Sequence, residues 1–284
     1  MWATAGDVLA DRYRLEEQVG KGGMGAVWLA RDLVLGRAVA VKIVHSTPSG
    51  DPRGQDRLRR EARMLGGMSH PGLARLFDLC ETAGTGFMVM EFVDGESLAA
   101  RLDREPRLDP GEAARIAAQC AEALDAAHRA GVVHRDVKPS NIMLTGDAVK
   151  IIDFGIAAST DPAGTTATFG LIGTAAYLAP ERASGAQATA AADVYALGVV
   201  LYRMLAGRLP FDAEGSIAML YAHTEATPLP LPSTVPPALA DLCLSLLTKD
   251  PIARPRSGVA AVALQRLAAR LQYPASAVPV KAGR

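Results

Sequence analysis

Residues 132–144 read VVHRDVKPSNIML. Two valines lead in and three apolar residues lead out. Between them stand His134, Arg135, Asp136, Lys138 and Asn141. Polar groups held between apolar anchors cost free energy unless they are paired or used. The stretch continues as IMLTGDAVKIIDFG, the form of a hairpin turning at Thr145 to Asp147. Such a hairpin brings Asn141 and Asp153, at its outer ends, close together. An amide oxygen and a carboxylate converging there make a hard-oxygen site suited to Mg²⁺ or Mn²⁺. Asp136, five residues before Asn141, can take or orient the proton of an attacking hydroxyl. Lys138 can neutralise charge on a phosphoryl group in transfer. Phosphoryl transfer asks the protein for positioning and electrostatics more than for covalent chemistry.

Working back toward the N-terminus, VGKGGMGAV places Gly20, Gly22 and Gly25 in a GxGxxG pattern. Glycines let backbone N–H groups approach phosphate oxygens without a Cβ in the way. A dinucleotide fingerprint needs a helix next and an acid about 20 residues on. Here a strand pattern, AVWLA, follows, and the later residue is Lys42. No GK[ST] follows either, so this is not a Walker A loop. A glycine hairpin with a lysine on the next strand is a different phosphate device. Lys42, in VAVKIV, either snorkels to water or reaches a phosphate and a carboxylate. Glu61, in RREARML, is the natural carboxylate.

The rest of the chain sorts into two parts. YRLEEQVG, AVWLARDL and RAVAVKIV read as three antiparallel strands, and LARLFDLC and GFMVMEFV as two more. QDRLRREARMLGGM carries Leu58, Ala62 and Leu65 at helical spacing. After Gly95 the pattern turns helical, in DPGEAARIAAQCAEALDAAHRAG, DVYALGVVLYRMLAG and AVALQRLAARL. The expected fold is α+β and bilobal. A small β-rich lobe spans about 13–91, a hinge 91–95 and a larger helical lobe 96–271. Residues 1–12 are set apart as an N-terminal segment and 272–284 as a loose tail.

Composition narrows the functional classes. The chain has 284 residues, 49% of them apolar, so the core is ample. Thirty basic and thirty acidic side chains balance, which gives no overall pull toward nucleic acid. Three scattered cysteines, Cys80, Cys120 and Cys243, fit reduced thiols and neither a disulfide framework nor a zinc site. The longest apolar run, VYALGVVLYRMLAG, is broken by Arg203 and falls short of the roughly 18–20 residues of a membrane span. A cytoplasmic protein is expected.

In order, GKGGMGAV, VAVK, Glu61, HRDVKPSN, DFG, APE at Ala179–Glu181, DVYALG and Arg254 make a series that resembles the protein kinases. The likeness is greatest to bacterial eukaryotic-like Ser/Thr kinases, the actinobacterial ones above all, and runs from about Tyr13 to Leu271. It implies an ATP-dependent enzyme acting with Mg²⁺ or Mn²⁺ on Ser/Thr hydroxyls of proteins. By resemblance, Asp136 is the catalytic base and Lys138 steadies the γ-phosphate. Asn141 and Asp153 hold metal, and Lys42 grips the α/β-phosphates and pairs with Glu61. ATP would lie under Val19, Gly20, Lys21, Gly22, Gly23, Met24 and Gly25. Val27 and Ala40 would roof the adenine, Met143 would floor it, and Met90 would guard it. The backbone of Glu91 and Val93 would bond the purine.

The same resemblance makes Arg135 the receiver of an activation-loop phosphate on Thr166 or Thr168, and Thr174 a substrate-docking residue. His134 would pack in a spine with Phe154 and Leu65. Glu181 would pair with Arg254, and Asp193 would brace the catalytic loop. Arg12, Leu33 and Asp78 match a weak back-to-back homodimer contact between small lobes, with Arg12 of one copy meeting Asp78 of the other. Two other readings are a nucleotide-binding pseudokinase scaffold and a small-molecule phosphotransferase. Intact catalytic positions weigh against the first, and the APE segment weighs against the second.

Overall fold

The computed structural model describes residues 3–22, 25–44, 60, 62–82, 85–154 and 175–272. Its small lobe is an antiparallel sheet of β1 (Val8–Leu9), β2 (Tyr13–Gly22), β3 (Gly25–Asp32), β4 (Arg37–Val44), β5 (Leu76–Thr82) and β6 (Thr85–Glu91). The spatial order is β1-β2-β3-β4-β6-β5. Strand side chains alternate between faces. One face buries Tyr13, Leu15, Trp28, Val39, Val41, Phe87 and Val89 as a core. The other face looks into the cleft. The register pairs Val27 with Lys42, Ala40 with Met90, and Lys42 with Met88. Directly opposed residues share a face, so Val27, Ala40, Lys42 and Met90 line one surface.

A short strand precedes Tyr13, where the sequence pattern placed only an N-terminal segment. Val8 and Leu9 pair with Arg14 and Tyr13, and Leu15 N donates to Asp7 O at 2.9 Å. The turn that permits this runs through Ala10 and Asp11 at φ 48° and 52°. No glycine or Asn-Gly pair announces it, which is why the sequence pattern passed over it. Of the small-lobe helix, residues 60 and 62–66 are described, with Ala62 and Leu65 buried.

The large lobe opens with β7 (Glu96–Ser97), which joins β8 (Ile142–Thr145) and β9 (Ala148–Ile151) in a second sheet. A Cβ at Gly95 would run into the Leu144 carbonyl, so the hinge can lie this close to β8 only as glycine. Helix α1 (Leu98–Arg104) follows, capped by Ser97. Helix α2 (Pro110–Arg129) starts with Asp109 accepting from Gly111 N at 2.8 Å and Glu112 N at 3.3 Å, a side-chain cap with proline at the first turn.

Beyond lie α3 (Pro180–Ala183), α4 (Ala190–Ala206), α5 (Ser216–Glu225), α6 (Pro237–Leu246) and α7 (Ser257–Gln272). Helix α4 is buried from Ala192 to Leu201 without a break. That explains its membrane-like composition: it is the central core helix, apolar all round. Among the described residues no helix is long and apolar enough to cross a membrane. The α+β two-lobe architecture is as expected. Helices α1, α3, α5 and α6 were not anticipated.

Candidate active site

The loop after α2 carries the decisive residues. Asp193, 1% exposed on α4, accepts from His134 N at 2.7 Å and Arg135 N at 2.8 Å. Those two bonds pin a backbone that needs pinning. Arg135 sits at φ 73°, a conformation that costs an L-residue about 1–3 kcal/mol. His134 Nε2 meets the Ile152 carbonyl at 3.0 Å, and its ring lies 4.6 Å from that of Phe154. Leu65 and Phe154 belong to the same buried cluster. The loop is thus tied to the residues that follow β9, through the Ile152 carbonyl and the Phe154 ring.

Asp136 is held asymmetrically. Its Oδ2 takes Lys138 Nζ at 2.7 Å and Asn141 Nδ2 at 3.1 Å, while Asn141 Nδ2 also reaches the Asp136 carbonyl at 2.8 Å. Its Oδ1 is buried and has no hydrogen-bond partner among the described residues. A buried carboxylate oxygen without a donor costs free energy. That oxygen keeps its capacity to accept a hydroxyl proton.

Asn141 lies in the short 3-10 turn Pro139–Asn141 at the mouth of β8, and the Ile152 N–H bonds its carbonyl at 2.9 Å. The β8–β9 hairpin thus closes as the sequence implied and sets Asn141 beside Asp153. Asp153 adopts φ 61° and forms an ion pair with Lys42 Nζ. Lys42 is 6% exposed. The donor types fit a divalent cation: an amide oxygen and a carboxylate are the hard-oxygen ligands that Mg²⁺ takes alongside phosphate and water. A buried ammonium beside that carboxylate fits a phosphate chain.

The apolar residues expected around adenine are all half-buried: Val27, Ala40, Met90 and Met143. Val19 is 49% exposed at the end of β2, and Gly20 and Gly25 flank the hairpin, with Gly25 at φ 144°. Lys21 and Gly22 are placed as strand backbone. Gly23, Met24, Glu61, Thr166, Thr168 and Thr174 lie outside the described residues. The Lys42–Glu61 pairing lies outside them too.

Further down, Arg254 forks onto Glu181 with both N···O distances at 2.7 Å, as expected. Of the three residues expected at a dimer contact, Arg12 and Asp78 are engaged within the chain. Arg12 forks onto Asp32 at 2.9 and 2.8 Å and holds that carboxyl well below its usual range, at about 2. Asp78 accepts from Tyr13 Oη at 3.1 Å. Leu33 is 45% exposed. Burial pushes the Cys80 and Cys120 thiols up, to about 11 and 12, which leaves neither a nucleophile at neutral pH.

A glycine hairpin, a buried lysine on the next strand, and a braced loop with one unpartnered carboxylate oxygen form one arrangement. A family description, the protein kinase domain, matches residues 13–266. The chain belongs to the protein kinase domain family. The chain is 44% identical over 283 residues to the serine/threonine-protein kinase PknA of Mycobacterium tuberculosis, covering 96% of this chain and 66% of that one. PknB of Mycolicibacterium smegmatis is 41% identical over 254 residues, covering 86% and 40%. The serine/threonine-protein kinase pkn2 of Myxococcus xanthus is 40% identical over 262 residues, covering 88% and 31%. This kinase domain therefore spans two thirds or less of the length of each.

Two contacts of the kinase site were not read from sequence. Glu91, at the hinge, pairs with Lys150 at 2.7 Å. His128 bonds Asp193 through Nε2 at 2.9 Å. The signals were faint: a lysine three residues before Asp153, and a histidine six residues before His134.

Proposed function

We propose that this chain is an ATP-dependent serine/threonine protein kinase, with Asp136 as base. The observation that carries the reading is the buried, unpartnered Oδ1 of Asp136, fixed because Lys138 and Asn141 hold the other oxygen. In the proposed step a Ser or Thr hydroxyl gives its proton to that Oδ1. Its oxygen bonds the γ-phosphorus of ATP, the bond from that phosphorus to the bridging oxygen breaks, and ADP leaves with the electron pair. Lys138 faces the charge on the moving phosphoryl group, and Lys42 orients the remaining phosphates. Asn141 and Asp153 would hold Mg²⁺ or Mn²⁺, which supplies neutralisation of phosphate charge when bound.

In the same reading Thr166 and Thr168 are autophosphorylated and Arg135 receives the phosphate, a local charge change that orders a segment. Thr174 contributes to docking of the acceptor. A weak two-fold contact between small lobes, centred on exposed Leu33, raises activity when copies are concentrated. The Arg12–Asp32 fork shapes the turn that carries Leu33: Asp32 Oδ1 also accepts from Val34 N and Leu35 N, at 3.1 and 3.2 Å. The test is transfer of labelled γ-phosphate to a generic protein substrate. Label on serine and threonine is expected. Label on tyrosine, or none on protein, would overturn the assignment.

A further inference from the structure

Behind the catalytic loop, a chain of polar contacts runs through the seam between α2 and α7. Asp193 binds the His134 and Arg135 N–H groups and, through Oδ2, His128 Nε2 at 2.9 Å. His128 Nδ1 lies 3.0 Å from Ser257 Oγ, and Ser257 Oγ lies 3.2 Å from Asp125 Oδ1. Arg129 closes the outer end on Asp125 Oδ2 at 2.6 Å. Ser257 is 4% exposed and the His128 side chain 8% exposed. The far end reaches solvent at Arg129, whose side chain is 76% exposed.

Two features show that Asp125 is lodged at this place and does not merely pass by. A Cβ on Gly258 would sit 2.8 Å from Asp125 Oδ1 and 3.0 Å from its Cγ. Helix α7 accepts a glycine in its first turn, at about 1 kcal/mol against alanine, and the carboxylate occupies the space. That carboxylate also stands at the N-terminal end of a sixteen-residue helix, where the macrodipole and open N–H groups favour negative charge.

Hydrogen accounting then favours one arrangement of the protons. A serine hydroxyl has one proton to give. If His128 were neutral, with its proton on Nε2 facing Asp193, Nδ1 would take the Ser257 proton. Asp125 Oδ1 would then face a bare hydroxyl oxygen. With protons on both ring nitrogens every contact has one donor and one acceptor: Nε2–H to Asp193, Nδ1–H to Ser257, and Ser257 Oγ–H to Asp125. The charged groups facing the ring are Asp193 on α4 and, through Ser257, Asp125 with Arg129 on α2.

Building on the kinase reading, we infer that Ser257 and Asp125 are positioning residues for phosphoryl transfer. They hold a doubly protonated His128 against Asp193, and so hold the catalytic loop from the back of the large lobe. None of them touches substrate. The loop they steady carries Asp136, and a loosened loop costs turnover without changing nucleotide contacts.

The test joins a spectroscopic readout to kinetics on the full chain. In protein labelled with ¹⁵N-histidine, both His128 nitrogens are expected to show protonated shifts at neutral pH. In Ser257→Ala and Asp125→Asn, Nδ1 is expected to lose its proton. Each variant should lower kcat roughly tenfold, an effect on the barrier of about 1.4 kcal/mol, with KM for ATP unchanged. Ser257→Thr keeps the hydroxyl and should behave as the parent. A parent His128 with one unprotonated nitrogen would overturn the inference, as would folded Asp125→Asn with parental kcat. A parent that transfers no phosphate would instead overturn the proposed activity, and the nitrogen shifts would still decide the proton arrangement.

Discussion

Replacing Arg254 by alanine is the most severe single cut the large lobe offers outside the catalytic loop. The Arg254 side chain is fully buried and Glu181 is 15% exposed. Besides the fork to Glu181, Arg254 donates to the Thr248 carbonyl at 2.7 Å, the Lys249 carbonyl at 2.8 Å and the Ala191 carbonyl at 2.9 Å. Breaking a buried pair from one side costs about 3–5 kcal/mol, because the other charge stays behind unpaired. The three bared carbonyls add to this, though water entering the vacated volume offsets part of their cost. A domain stable by about 5–15 kcal/mol loses a large share. Glu181→Ala should cost less, since the guanidinium keeps its three carbonyls. The double variant should lie close to Arg254→Ala alone, a non-additivity expected of residues sharing one network. Urea unfolding of the four proteins, followed by far-ultraviolet circular dichroism, measures all three differences. An Arg254→Ala protein within about 1 kcal/mol of the parent would show that this network does not hold the lobe together, since breaking a buried pair with these partners costs more than that.

Burial lowers His223 from its ordinary range to about 4, with help from the Lys249 charge and against the Ala176 carbonyl that its ring meets. Its proton is bound more tightly by the unfolded chain, so the stability it contributes is present above about pH 6.5 and lost as pH falls toward 4, roughly 3 kcal/mol in all. His223→Gln should flatten that acid limb in thermal melts from pH 7 to 4; identical limbs would remove the claim. Asp153→Ala should abolish metal-dependent binding of ATP in calorimetry, whereas binding equal to the parent would take Asp153 out of the metal site. Arg12→Asp should lower both dimer content and autophosphorylation at high concentration, since it breaks the Asp32 fork that sets Leu33 in place; unchanged sedimentation and activation would rule out the contact.

Much of the site was legible because its chemistry lies in short ordered motifs. Asp136, Asn141 and Asp153 are spaced by one loop and one hairpin, and local backbone geometry alone brings them together. The strands of the small lobe were legible for a related reason: alternation in RAVAVKIV separates Val39 and Val41 in the core from Ala40 and Lys42 in the cleft. What escaped depends on contacts between distant segments. The β1 pairing rests on two non-glycine residues at positive φ, which no residue type signals. The Asp125–Ser257 contact joins positions 132 residues apart, and neither residue stands in a recognisable motif. Arg12 was read as an outward charge because its partner Asp32 sits twenty residues away on the neighbouring strand.

In the proposed mechanism Asp136 accepts the acceptor's proton while ATP is held by other groups. Intact-mass spectrometry after incubation with ATP and Mg²⁺, on the parent and on Asp136→Asn, tests it most directly when ATP binding is measured on the same samples. Added phosphates are expected on the parent, and ATP binding by both proteins. Transfer by the variant should fall by about a hundredfold or more, the scale of a lost general base. Equal phosphorylation of parent and variant would contradict it.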